Sequence, residues 1–164
     1  MEYDFFELVP TDPTRRMITF GFRDIQLALP IDTVSKVIRH PHVLSSGLGS
    51  VGIAHVGEDE VTVFDLHQRL FGKPLENAES GFMVLIETQD GELFGIPVAE
   101  TPGMEDIPES AIRALPDSYR RRDSYGLASH VALIQEEGTE QTTTIFLLDV
   151  AQLEDLFVPQ KLLN

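Results

Sequence analysis

No cysteine occurs in the 164 residues. Disulfides, thiolate nucleophiles and sulfur-ligated metal sites are therefore excluded, and a reducing compartment fits. Tryptophan is also absent. The ten Phe and three Tyr alternate along apolar segments as core residues do, with no basic residues interleaved for base stacking. Positive charge is scarce: 12 Lys and Arg stand against 27 Asp and Glu, a net charge of −15. Such an excess repels a phosphate backbone and argues against a nucleic-acid partner. The one basic cluster, Arg120-Arg121-Arg122, is too short to reverse it. No apolar run approaches the roughly 20 residues of a membrane helix. The first residues, Met1 to Glu7, are acidic and lack a basic stretch before an apolar one, so no secretory signal is expected. A soluble, cytoplasmic chain without membrane insertion follows. Its length suggests one domain or two intimate subdomains, large enough to bury roughly 70% of the unfolded surface without a staple.

What is present is an internal echo. Ile25-Gln-Leu-Ala-Leu-Pro30 is an apolar strand pattern ending in Pro, and Glu92-Leu-Phe-Gly-Ile-Pro97 is another. Val61-Thr-Val-Phe-Asp65-Leu66 runs into a short helical pattern, as does Ile145-Phe-Leu-Leu-Asp149-Val150. Each half reads as strand-Pro, a variable stretch, then strand-Asp-helix. The copies are unequal, with Pro to Asp spanning 35 positions in the first half and 52 in the second.

The chain divides into an arm over 1–16, a first β unit over 17–75, a second over 80–157 and a tail over 158–164. Ile18, Phe20 and Phe22 alternate as in a half-buried strand, and Arg23-Asp24 turns the chain into Ile25, Leu27 and Leu29. Pro30 should end that strand. Asp32 to Ile38 suggests one helical turn followed by extended chain, and 40–50 reads as loop. Val51 to Val56 and Val61 to Phe64 form a hairpin around Gly57-Glu-Asp-Glu60. Asp65 is placed to cap a short helix that Gly72 and Pro74 stop. Phe82 to Glu87 returns through Asp90-Gly91 as Leu93 to Ile96. Glu109 to Leu115 is weakly helical. Gly126 to Ile134 and Thr142 to Leu148 are strands, and an amphipathic helix over 150–157 closes the pattern. Many short strands with few helices argue for small barrels.

Chemical motifs fail on context. Gly47-Leu-Gly49-Ser-Val-Gly52 fits a dinucleotide fingerprint, but no strand precedes it and no helix pattern follows. The strand ending at Asp149 resembles a phosphoacceptor site but lacks the acidic pair and lysine that such chemistry needs. His40-Pro-His42 has no third ligand at suitable spacing, and the other histidines are dispersed, so surface or interface positions are expected for them. Ser129-His130 lacks a strained nucleophile elbow. Glu58-Asp59-Glu60 lacks the alternating oxygens of a calcium loop and reads as a solvated turn. No catalytic set, cofactor site or metal site is expected.

Several segments in order resemble the CheW-type chemotaxis coupling proteins over roughly residues 17–157. They are Leu27-Ala-Leu-Pro-Ile31 with Val34 and Val37-Ile38, then Gly52-Ile53 with Val61-Thr-Val-Phe-Asp65-Leu66, then Phe94-Gly-Ile-Pro-Val98 and Phe146-Leu-Leu-Asp-Val150. The resemblance implies a mainly β fold of two SH3-like five-stranded barrels with short helices. It also implies a non-enzymatic adaptor. Such a protein couples a chemoreceptor-like cytoplasmic signalling tip to the regulatory domain of a CheA-type histidine kinase, in chemotaxis, phototaxis or pilus motility. The family's Asn-Leu-Arg-Gly segment falls here on His55, Val56, Gly57 and Glu58, and a frequent Glu falls on Lys36. These charge changes suggest an atypical receptor or kinase, since like-charge contacts reject an old partner and can suit a new one. The expected partner surface is Val34, Lys36 and Ile38, together with Gly52, Ile53, His55, Val56, Gly57 and Glu58. The alternative is a small-ligand-binding β-barrel with a hydrophobic cavity between its units.

Overall fold

The computed structural model describes residues 12–22, 25–45, 51–116 and 127–155. The turn at Arg23-Asp24, the glycines at 47 and 49, the Arg120 cluster, most of the arm and the tail lie outside these.

Among the described residues, twelve strands form two six-stranded sheets. In chain order they are β1 (Thr14–Phe22), β2 (Ile25–Pro30), β3 (Val34–Arg39), β4 (Val43–Ser45), β5 (Val51–Val56), β6 (Asp59–Phe64), β7 (Phe82–Glu87), β8 (Leu93–Val98), β9 (Gly103–Pro108), β10 (Ile112–Ala114), β11 (Ala128–Gln135) and β12 (Thr142–Leu148). Helix α1 (Leu66–Phe71) follows β6, and residues 150–155 are helical after β12. The fold is mainly β with short helices, as the strand pattern requires.

The first sheet runs β10-β11-β12-β2-β1-β9 and the second β3-β7-β8-β6-β5-β4. Exchanging β1–β6 for β7–β12 turns one order into the other. Each half lends its first hairpin to the other half's strands, so the sheets cross the line between residues 75 and 80. Two parallel contacts make the exchange: β12 on β2 places Leu147 opposite Ala28, and β6 on β8 places Val63 opposite Gly95. These are the repeat's own equivalents, so the echo read from Leu27-Ala-Leu-Pro30 and Phe94-Gly-Ile-Pro97 holds to the residue.

Alternation explains why these hairpins read as continuous apolar runs. On β2, Leu27 and Leu29 enter a central core with Phe20, Phe22, Phe64, Val84, Ile86 and Ile96. Ala28 enters a second core with Met17, Ile107, Ile145 and Leu147. On β7, Val84 and Ile86 join the central core, whereas Met83 and Leu85 enter a third with Ala54, Val61 and Val63. Both faces are buried, and each large aliphatic side chain so covered contributes about 1.5–3 kcal/mol. Gly95 is small because Met83 lies across it: an added Cβ would stand 2.5 Å from Sδ.

Several local expectations change. The stretch over 40–50 contains strand β4 at Val43–Ser45. The turn expected at Gly57–Glu60 narrows to Gly57-Glu58, because Val56 pairs with Asp59. Gly57 has φ 62°, the left-handed conformation that a two-residue loop asks of its first residue. The helix expected at Glu109–Leu115 is one 3-10 turn, Glu109–Ala111, leading into β10. The preceding strand β9 pairs with β1, and Arg16 reaches Asp106 at 2.9 Å across that pair. The hydrogen bond from Arg16 holds the Asp106 carboxyl below its ordinary range.

Candidate protein-binding surface

Both groups of expected contact residues lie on the second sheet, one on its edge strand and the other next to the opposite edge. Val34, Lys36 and Ile38 sit on edge strand β3, and Gly52 to Glu58 sit on β5 and its turn, with β7, β8 and β6 between. A bulge between Val34 and Lys36 resets the alternation. Val34 is half-buried on the central core and Ile38 on the third core. Both anchor the strand, while Lys36, Val37 and Arg39 are exposed.

On β5 the period of two sorts the residues. Gly52 is buried, because β4 comes so close that an added Cβ would stand 2.9 Å from the Leu44 carbonyl oxygen. It is a packing residue and offers no contact surface. Val56 packs on the third core. Ile53 and His55 point outward, with Ile53 41% exposed. Directly opposite Ile53 on β4 stands Leu44, 59% exposed. Opposite it on β6 stands Thr62. Cross-strand neighbours at this spacing touch, so Leu44 and Ile53 make one outward apolar pair. The next row is His55 facing Glu60, and exposed Glu58 and Asp59 close the turn. An apolar centre with a charged rim is the usual anatomy of a protein interface.

Leu44 escapes the sequence reading because a three-residue strand cannot show a period. The available signal was Val43-Leu44, two strand-forming residues inside an otherwise polar stretch.

Two histidines also depart from expectation. His67 is buried at 7% exposure, with Phe22 edge-on to its ring. His40 is half-buried, and its Nδ1 is fully enclosed without a partner. Desolvation lowers the His40 pKa, against a smaller opposing pull from Glu79. Asp65 caps α1 as expected: its carboxylate accepts from Gln68 N–H at 3.0 Å and also from Leu75 N–H at 3.1 Å. Among the described residues no three His, Asp or Glu side chains gather as a metal site. No helix among them is long and apolar enough to cross a membrane.

Residues 16–156 match the family model described as CheW-like domain. No curated protein sequence matches the chain. Among solved structures, the scaffolding protein TtCheW from Thermoanaerobacter tengcongensis superposes with a TM-score of 0.67 at 15% identity, over 92% of this chain and 91% of that one. At that identity the likeness speaks for the fold, and it agrees with a pair of SH3-like subdomains.

Proposed function

The chain belongs to the CheW-like domain family, and from that premise we propose that it is a non-enzymatic adaptor joining a receptor's cytoplasmic signalling tip to the regulatory domain of a CheA-type histidine kinase. The observation that carries this reading is the outward pair Leu44–Ile53 on the second sheet, flanked by His55, Glu58, Asp59 and Glu60. An exposed apolar pair rimmed by charged residues suits association, and within that rim it is the natural hot spot. Lys36 and the acidic turn then set which partner is accepted. In this reading the first unit, over 17–75, faces the kinase or receptor, and the second, over 80–157, shares its sheets; the arm over 1–16 and the tail over 158–164 flank them. Gly57 and Glu58, where the family carries Arg and Gly, favour a kinase or receptor whose contacting surface is more basic than usual.

Calorimetric titration of the whole protein with the kinase's purified regulatory domain tests the reading. Binding is expected, weakened at least about tenfold by Leu44→Asp or Ile53→Asp, since hot-spot truncations cost ~2 kcal/mol or more. Far-UV circular dichroism should be unchanged, because both side chains already face solvent. Equal affinity for the wild type and both variants would remove this surface from the interface.

A further inference from the structure

A cavity of about 340 Å³ lies beside the β1–β2 hairpin, and none of its lining residues belongs to the surface described above. Its wall includes Phe22, Gln26, His67, Lys73, Glu76 and Glu100. The volume falls at the small end of the roughly 300–1,000 Å³ typical of small-molecule sites.

His67 gives this cavity a chemical direction. Its Nδ1 lies 2.7 Å from the Lys73 carbonyl oxygen. A carbonyl only accepts, so Nδ1 carries the proton and Nε2 keeps its lone pair. Among the described residues, the only enclosed side-chain nitrogen or oxygen lacking a partner is His40 Nδ1. His67 Nε2 is not one of these enclosed atoms, and His67 is one of the residues that line the cavity. The ring cannot easily turn away, since its centroid is 5.4 Å from Phe22, edge-on, and 4.7 Å from Phe71. The repeat supplies a comparison. Asp65-Leu66-His67 corresponds to Asp149-Val150-Ala151, where the third residue is an exposed alanine. The strand-Asp-helix junction therefore closes without a histidine.

The acceptors at the cavity are the Nε2 lone pair and the exposed carboxylates of Glu76 and Glu100. The donors are the Lys73 ammonium and the Gln26 amide. The net charge of −15 raises the local concentration of cations over anions. We propose that this cavity binds a small organic amine, which donates an N–H to His67 Nε2 and places its charge beside Glu76 and Glu100. The site is independent of the adaptor surface, and its presence or absence leaves that reading untouched.

The test is a titration of the full chain with 1,4-diaminobutane in mildly alkaline buffer. Binding is followed by calorimetry and by the imidazole ¹⁵N resonances of His67. Tetramethylammonium, a cation without N–H, and succinate, an anion of similar length, serve as comparisons. Saturable binding of the diamine with a shift at Nε2 is expected, with tetramethylammonium weaker and succinate absent. His67→Asn keeps a donor at the place of Nδ1 and has nothing at Nε2; it should lose binding at least about tenfold, the scale of one hydrogen bond to a charged group. The Glu76→Gln/Glu100→Gln double variant changes only exposed side chains and should fold normally even if His67→Asn does not. It should lose roughly three- to tenfold, as two exposed charge contacts imply. Succinate binding as well as the diamine, a linear response without saturation, or unaltered affinity in the double variant would each overturn the proposal.

Discussion

Asp65 and Asp149 occupy the same place in the repeat, yet their carboxylates work differently. Asp65 uses both oxygens, one on Gln68 N–H and one on Leu75 N–H, and so ties the start of α1 to the loop beyond it. Asp149 uses one, accepting from Ala151 N–H at 3.0 Å. A capping bond is worth ~1 kcal/mol, and a second bond to a charged acceptor adds at least as much. Asp65→Ala should therefore cost about 2–3 kcal/mol in urea unfolding and Asp149→Ala about 1; equal costs would contradict the two-bond account. His40 offers a second contrast. Ile18 pairs with Met104 and Val84 with Val37, so in the repeat His40 corresponds to Ile107, which is fully buried. A histidine in an apolar position leaves Nδ1 enclosed and disfavours its own protonation. Its folded pKa is lowered, so as pH falls the unfolded chain takes the proton first. Stability is then level above about pH 6.5, falls through the interval down to the lowered folded value, and levels again below it. His40→Ile should abolish that share of the acid sensitivity. By removing an orphaned nitrogen it should also gain ~1 kcal/mol at neutral pH. Urea midpoints on both sides of the histidine range measure both effects.

At the scale of elements, what was legible in the sequence was what periodicity reports. Strands β1, β2, β5, β7, β8, β11 and β12 each present several alternating or continuous apolar positions, and all were readable. Asp65, Gly72 and Pro74 announced α1 through capping and breaking. Strands β4, β9 and β10 were not legible, for a common reason. They are edge strands, and β4 and β10 have three residues each. β9 exposes Gly103 to Asp106, so its pattern is set by pairing with β1 some 90 positions away. In the candidate surface, the expected contact residues Ile53, His55 and Glu58 are exposed, while Val56 packs on the third core. The burial of Gly52 depends on β4, a strand the sequence did not declare, and Leu44 was lost with it. The β5–β6 turn adds a prediction about partner choice. Gly57 stands where the family has Arg, with open space around its Cβ position but φ 62°. Gly57→Arg should fold, at a cost of ~1–2 kcal/mol for left-handed backbone. If charge at this turn selects the partner, the variant should bind a more acidic kinase surface better, and the gain should shrink with added salt. A salt-independent change would assign the effect to turn shape instead.

For the whole molecule, the exchange of hairpins has a consequence for how the protein can come apart. The sequence announces two similar halves, expected as one barrel unit over 17–75 and another over 80–157. A hydrophobic pattern says which side chains are buried but not which strand lies beside them, so the crossing of partners was invisible. In the folded chain β3 pairs with β7, β6 with β8, β9 with β1 and β12 with β2, and each of these joins one half to the other. A fragment over residues 1–77 keeps only the β1–β2 hairpin and the β4-β5-β6 strip. It leaves Leu27 and Leu29 without Val84, Ile86 and Ile96, and leaves Val61 and Val63 without Met83 and Leu85. Isolated hairpins are marginal in water, and the lost contacts are most of both cores. Residues 78–164 suffer the mirror loss. Each fragment alone should therefore give poorly dispersed amide spectra and no cooperative melt. Mixing the two should restore native-like dispersion, because every long-range pair then has its partner. The intact chain should unfold in a single transition, with circular dichroism and near-ultraviolet signals coinciding. A cooperative melt from residues 1–77 alone would show that one half carries its own core, and the interlocked arrangement would then be dispensable for folding.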